Sequence, residues 1–201
     1  WVLIRTATLR DKEGNPLKIV GVILDIDRAK KSEQQLTTRA SFDALTELYN
    51  RETIESQIDN EITLSEARKS EMAVLFIDVD DFKHYNDQYS HATGDQVLKF
   101  VARTIKGTVN EFGFAGRYGG DEFIACIRNA EINDPTRAAQ DIISKLEEGF
   151  ECDGVHLTVS VSIGISMIKD DYNTRVEYII GKADDAMYSV KKNGKSNYAF
   201  I

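Results

Sequence analysis

The sequence predicts an α+β fold, with one central sheet and helices packed on it. Three observations carry this. Met72 to Val79 (MAVLFIDV) is a near-continuous apolar run, as expected of a central strand covered on both faces. Two apolar runs, Phe114 to Gly120 and Asp121 to Arg128, meet at Gly119-Gly120 and read as a β-hairpin. Between such runs lie segments with helical spacing of apolar residues.

In chain order, Trp1 to Leu9 and Leu17 to Ile26 flank the turn cluster Asp11 to Pro16 and read as a first hairpin. Two strands alone are marginal, so a larger sheet is expected around them. From Asp27 the chain is charged and free of Gly and Pro. Ile26, Ala29, Leu36 and Ala40 fall at heptad-compatible spacing, interrupted by Glu33, so 27–41 reads as a connecting helix, either solvated or one strand of a short two-helix coil. The main domain is placed at 42–201. Arg51 to Ser70 is amphipathic, with Ile54, Ile58, Ile62 and Leu64 as core candidates. After the apolar strand come a helix through Tyr89 and a second one starting at Gly94 and ending at Val109. Beyond the Gly-Gly hairpin, Asp134 caps a helix with Pro135 in its first position. Val155 to Ile168 reads as one long strand, Thr174 to Lys192 as a helix stopped by Asn193-Gly194, and Tyr198 to Ile201 as a closing strand.

Composition narrows the function. The 201 residues carry a formal net charge of −8, which disfavours a nucleic-acid partner. Cys126 and Cys152 have no CxxC partner, so thiolate metal binding is not expected and a reduced, cytoplasmic setting fits. No apolar run approaches the ~20 residues of a membrane helix. A membrane anchor farther upstream stays open.

Chemistry concentrates in two places. In FIDVDDFK, Asp78, Asp80 and Asp81 crowd three carboxylates at the carboxyl end of the central strand, where open sheets place ligands. Such crowding is relieved by a cation, and Mg²⁺ takes one or two carboxylates plus substrate phosphates. The alternative is a solvated loop, and an EF-hand is excluded by Lys83 and Tyr89 at its glycine and glutamate positions. In RYGGDEF, Gly119 and Gly120 allow a turn with positive φ, and Asp121 and Glu122 follow. If the two strands are neighbours, their carboxylates make a metal site for phosphoryl chemistry. An ordinary Gly-Gly hairpin with solvated acids is the competing reading.

Gly119-Gly120-Asp121-Glu122-Phe123 is the signature of the GGDEF diguanylate cyclases, which this chain resembles. The resemblance extends in order from Asp43-Ala-Leu-Thr46 through Asn50-Arg51, Phe76 to Lys83, Asn86-Asp87, His91, Gly94-Asp95, Ser162 to Ile165, and Ala183 to Asn197. It implies a palm-like domain, a central mainly antiparallel sheet flanked by helices, similar to nucleotidyl cyclases and polymerases. It implies two Mg²⁺ per active site (or Mn²⁺), held by Asp78, Asp121 and the Val79 carbonyl, with Glu122 at the metal site. Asn86 and Asp95 would contact guanine. Gly119 and Gly120 would lie against the nucleotide, the N–H groups of Asp81 and Phe82 would face its phosphates, and Lys191 and Lys195 would pair with them. Two GTP would be condensed into cyclic di-GMP by a homodimer of paired domains, with the linker helix as a further dimer contact. Lys195 stands where the family usually has Arg, which keeps charge and loses the planar fork. Ser90 replaces a usual Gly, at about 1 kcal/mol if positive φ is needed. The family's inhibitory product site needs Arg-x-x-Asp, and Asn110 to Gly113 supply neither residue, so no inhibitory product site is expected. Residues 1–26 and the charged segment after them resemble the last hairpin and exit helix of a PAS sensor domain, which would supply upstream control. The competing function is a catalytically silent module that binds GTP or cyclic di-GMP. An interaction module acting through dimer contacts is a third.

Overall fold

The computed structural model describes residues 1–28, 41–169 and 173–201. The chain divides into two compact units, Trp1–Ala40 and Ser41–Ile201. The linker helix expected over 27–41 falls mainly on 29–40, outside the described residues.

In the first unit β1 (Val2–Arg10) and β2 (Pro16–Asp25) form an antiparallel hairpin. Asp11 shapes its turn by accepting the N–H groups of Glu13 and Asn15, and Gly14 takes φ 90°. Leu3 faces Leu24, and Ile4 faces Ile23 on the opposite side, so both faces are apolar and exposed within this unit.

The second unit is built on a five-stranded sheet. Its central strand β3 (Met72–Val79) lies between β5 (Glu122–Arg128) and β8 (Val161–Ile168), antiparallel to both. β4 (Gly113–Gly119) extends the sheet beyond β5, again antiparallel, and β9 (Asn197–Phe200) closes the other edge parallel to β8. Alternation along β3 divides the core in two. Leu75, Ile77 and Val79 face α3 (His91–Val109) and α4 (Pro135–Glu148). Met72, Val74 and Phe76 face α1 (Arg51–Arg68) and α5 (Val176–Lys192). Every β3 residue is buried, as its apolar run requires.

Local chemistry sets the helix starts. Asn50 accepts the Thr53 N–H ahead of α1, and Asp134 accepts the Thr136 N–H ahead of α4, with Pro135 following. Ser90 is extended (φ −176°) and accepts the Thr93 N–H, so α3 begins at His91 rather than Gly94, and Ser90 is a cap without strain. Between them, α2 (Phe82–Gln88) is a short helix entered through Asp81 in a left-handed conformation.

Two further expectations change. Leu64 is 43% exposed, and Ser65 takes the inward position on α1. The run from Val155 is not one strand. β7 (Val155–Leu157) turns back on β6 (Phe150–Cys152), and β8 starts only at Val161. The cue is Asp153-Gly154, a two-residue turn with both residues at positive φ. Gly164 in β8 is a close-approach point: a Cβ there would lie 1.9 Å from the Ala183 carbonyl of α5.

Candidate active site

The sheet register brings the two acidic motifs together. Asp78, at the end of β3, stands directly opposite Glu122 on β5 and Ser162 on β8. Partners across a ladder point to the same face, so the Asp78 and Glu122 side chains share a surface. Asp121 sits in the turn one residue on, where its carbonyl accepts the Val79 N–H at 3.2 Å. Asp78 is only 6% exposed, and Lys191, near the end of α5, places Nζ 2.7 Å from its Oδ1.

The electrostatics are those of surplus negative charge. Burial pushes the Asp78 carboxyl up to about 6, Asp121 and Glu122 add to the rise, and Lys191 opposes it. Burial also raises Glu122, with Asp121 and then Asp184 of α5 contributing. Among the described residues no three side chains of His, Cys, Asp or Glu converge into a closed metal cage. That donor set suits a hard cation that takes one or two carboxylates and completes its shell from phosphate oxygens and water. A divalent cation here would offset the burial cost, and the lesser repulsion from Asp121 and Glu122, that raise Asp78.

The neighbouring Asp80–Asp81 segment is equally organised. Lys195 (φ 64°) donates to both oxygens of Asp81 at 2.8 Å. The pairing holds the Asp81 carboxyl below its usual range. Between Asp78 and Asp81, Asp80 is 4% exposed and turns inward. It accepts the hydroxyls of Ser160 and Ser162, and the Ser196 N–H at 3.2 Å. One carboxylate thus ties the end of β3 to β8 and to the residue beside Lys195. On the far side, half-buried Asn86 of α2 and exposed Asp95 of α3 lie on adjoining helices.

The Gly-Gly turn is held differently from the expectation. Neither Gly119 nor Gly120 adopts positive φ. A Cβ on Gly119 would stand 3.0 Å from Glu122 Oε2, and Gly120 faces open space. Missing bulk, rather than left-handed backbone, is what these glycines supply. Arg117 fixes the turn. Its Nη2 donates to the Gly120 carbonyl at 2.7 Å and its Nη1 to Asp43 at 3.2 Å. Asp43 also accepts the Thr46 N–H and hydroxyl.

The structure therefore gathers Asp78, Glu122 and Lys191, sets the Asp121 backbone beside Val79, and pairs Asp81 with Lys195. Sequence reasoning assigned no role to Asp80, Arg117 or Asp184. Nothing local singles out Asp80 from Asp78 and Asp81: its partners Ser160, Ser162 and Ser196 are brought to it by the fold. Arg117 and Asp43 lie 74 residues apart, and only the fold joins them.

Sheet order and strand-end acids define an α+β domain with an acidic cleft at the end of its central strand. The chain belongs to the family described as "Diguanylate cyclase, GGDEF domain", which matches residues 40–197. It is 38% identical to Diguanylate cyclase A of Treponema denticola over 136 residues, 67% of this chain and 36% of that one. The solved GGDEF domain of PA1120 (TpbB or YfiN) from Pseudomonas aeruginosa superposes with a TM-score of 0.74 at 32% identity, covering 79% of this chain and 93% of the other. The coiled coil and GGDEF domain of DgcB from Caulobacter crescentus, solved with c-di-GMP, gives 0.81 at 24% identity over 88% and 93% of the two chains, a likeness of fold. The chain spans 22–36% of the length of the curated relatives it matches first.

Proposed function

We propose that this chain is a catalytic diguanylate cyclase domain that condenses two GTP into cyclic di-GMP with release of two pyrophosphates. The observation that carries the reading is the placement of Asp78 opposite Glu122, with Asp121 in the adjoining turn and Lys191 on Asp78, in a chain of this family. Each subunit would hold one GTP. The 3′-hydroxyl of one displaces pyrophosphate from the α-phosphorus of the other, and the reciprocal displacement closes the ring. One site holds half of the reaction, so a homodimer is required. GTP as substrate places the reaction in the cytoplasm.

Asp78, Asp121 and the Val79 carbonyl are the groups that would hold two Mg²⁺ (or Mn²⁺), with Glu122 beside them. When bound, such ions polarise the attacked phosphate and lower the pKa of the attacking hydroxyl. The protein's own groups bind and orient. Lys191 and Lys195, with the N–H groups of Asp81 and Phe82, receive the triphosphate, and Gly119 and Gly120 leave room for the nucleotide. Asn86 and Asp95 select guanine: a carboxylate accepts both the ring N–H and the amino N–H, which adenine does not offer as a pair.

The exposed apolar hairpin at 1–26 is read as the end of a PAS-like sensor, whose remaining strands would cover its faces, and 27–41 as the connecting helix. Feedback through the usual inhibitory site is not part of this reading. Asn110 and Gly113 replace its Arg and Asp. A Cβ at Gly113 would also lie 2.1 Å from the Cys126 carbonyl, so this backbone does not accept an aspartate there without moving.

The test is product formation from GTP and Mg²⁺ at several protein concentrations, beside Asp121→Ala. Cyclic di-GMP rising more steeply than linearly with protein, and lost in the variant, supports a dimeric cyclase. GTP binding without product at high protein would favour the silent nucleotide-binding module.

A further inference from the structure

Gly94 is the fourth residue of α3, with helical backbone and no positive φ. Glycine in a helix interior is about 1 kcal/mol less favourable than alanine, so its presence calls for a packing reason. The surroundings supply one. A Cβ built on Gly94 would stand 2.1 Å from Asn86 Oδ1, far inside any tolerated contact, and 3.1 Å from its Cγ. Gly107 and Gly181, the other glycines within the described helices, have nothing within 4 Å of the same atom. The crowding is specific to the place where α2 meets α3.

What would yield is the Asn86 side chain, since its terminal carboxamide is the atom group in the way. That carboxamide makes no hydrogen bond among the described residues and depends on packing for its position. Asp95, the other base-facing group of the proposed site, is the next residue along α3. We propose that Gly94 is a specificity-determining position: its missing side chain is the socket that sets the Asn86 carboxamide for base recognition beside Asp95. This rests on the reading of Asn86 and Asp95 as the guanine contacts. Gly94 touches no ligand and acts through Asn86, so it is a positioning residue. A methyl there meets Phe82 only at its ring Cζ, 3.3 Å away and not at the N–H assigned to the phosphates, and Lys191, Lys195 and Asp81 lie on other segments.

The experiment measures dissociation constants for the α,β-methylene analogues of GTP and ATP, which cannot release pyrophosphate. It compares the parent chain, Gly94→Ala, Asn86→Ala and the double variant, with circular dichroism melts alongside. Gly94→Ala is expected to weaken the guanosine analogue about tenfold and leave the adenosine analogue unchanged. The double variant should be no weaker than Asn86→Ala alone, as expected when one change acts through the other. Equal weakening of both analogues, or additive losses in the double variant, would overturn the proposal. So would a Gly94→Ala protein that binds like the parent while Asn86→Ala is impaired, leaving the base-contact reading intact. If Asn86→Ala itself binds guanosine like the parent, the base-contact reading falls, and this inference with it.

Discussion

Lys191 Nζ stands 2.7 Å from Asp78 Oδ1, joining the end of the last helix to the end of the central strand. The ammonium offsets only part of what burial does to that carboxyl, which still rises to about 6.

The first prediction concerns pH. Asp78 ionises near 6 in the folded chain and near 3.8 when unfolded. Its contribution to stability is fully present below about pH 4 and is lost as pH rises through 6. Without divalent cation, Asp78→Asn should therefore melt higher than the parent at pH 7.5, with the gap closing toward pH 4. The same variant should lower product formation on the order of a hundredfold or more. Thermal melts across pH, paired with a cyclic di-GMP assay, check both.

A second prediction follows for Lys191→Met. Without the ammonium, the Asp78 carboxyl moves further up. The half-maximal Mg²⁺ concentration for activity should rise, most clearly between pH 6 and 7. Magnesium titrations at fixed GTP measure it.

Arg117 ties the Gly120 carbonyl to Asp43. Arg117→Ala should release the signature turn, reducing kcat more than it raises KM. The fold should lose about 1–2 kcal/mol, as for removal of charge-assisted hydrogen bonds. Denaturant melts and steady-state kinetics separate the two effects.

Two glycine substitutions should have opposite signs. In Gly164→Ala the new methyl meets backbone of α5, at the Ala183 carbonyl and the Met187 nitrogen, and neither can swing aside. A loss of about 3 kcal/mol is expected. Gly181→Ala, on the same helix but facing open space, should gain up to about 1 kcal/mol. Urea melts of both variants test the contrast.

Product feedback is the last prediction. Preincubation with cyclic di-GMP should leave the initial rate unchanged, apart from ordinary competition that excess GTP reverses. Non-competitive inhibition would overturn the expectation that no inhibitory product site is present.

The sheet was legible wherever one signal dominated. Met72 to Val79 reads as central because eight buried positions leave no polar alternation. The Phe150 to Ile168 region was harder, since β-branched residues run across Thr158 to Ser160 and hide the break. The start of α3 was misplaced because Gly94 attracts attention that belongs to Ser90, whose cap geometry appears only in the backbone. At the site, Asp78, Glu122 and Lys191 were foreseeable as residues, and their convergence depended on a register that no local pattern encodes. Asp80 was hidden for a physical reason: among three aspartates, which one turns inward depends on where Ser160, Ser162 and Ser196 arrive.

The inward turn of Asp80 makes the two walls of the cleft unequal in stiffness. A buried carboxylate with three donors lashes the wall at the end of β3 to β8 and the start of β9, so that wall is a rigid anvil. The opposite wall is two helices meeting at a bare glycine, with the Tyr85 hydroxyl of the first donating to the Thr158 carbonyl. Under the proposed function, adjustment to an arriving base would fall on the glycine side, while the end of the central strand would keep its alignment.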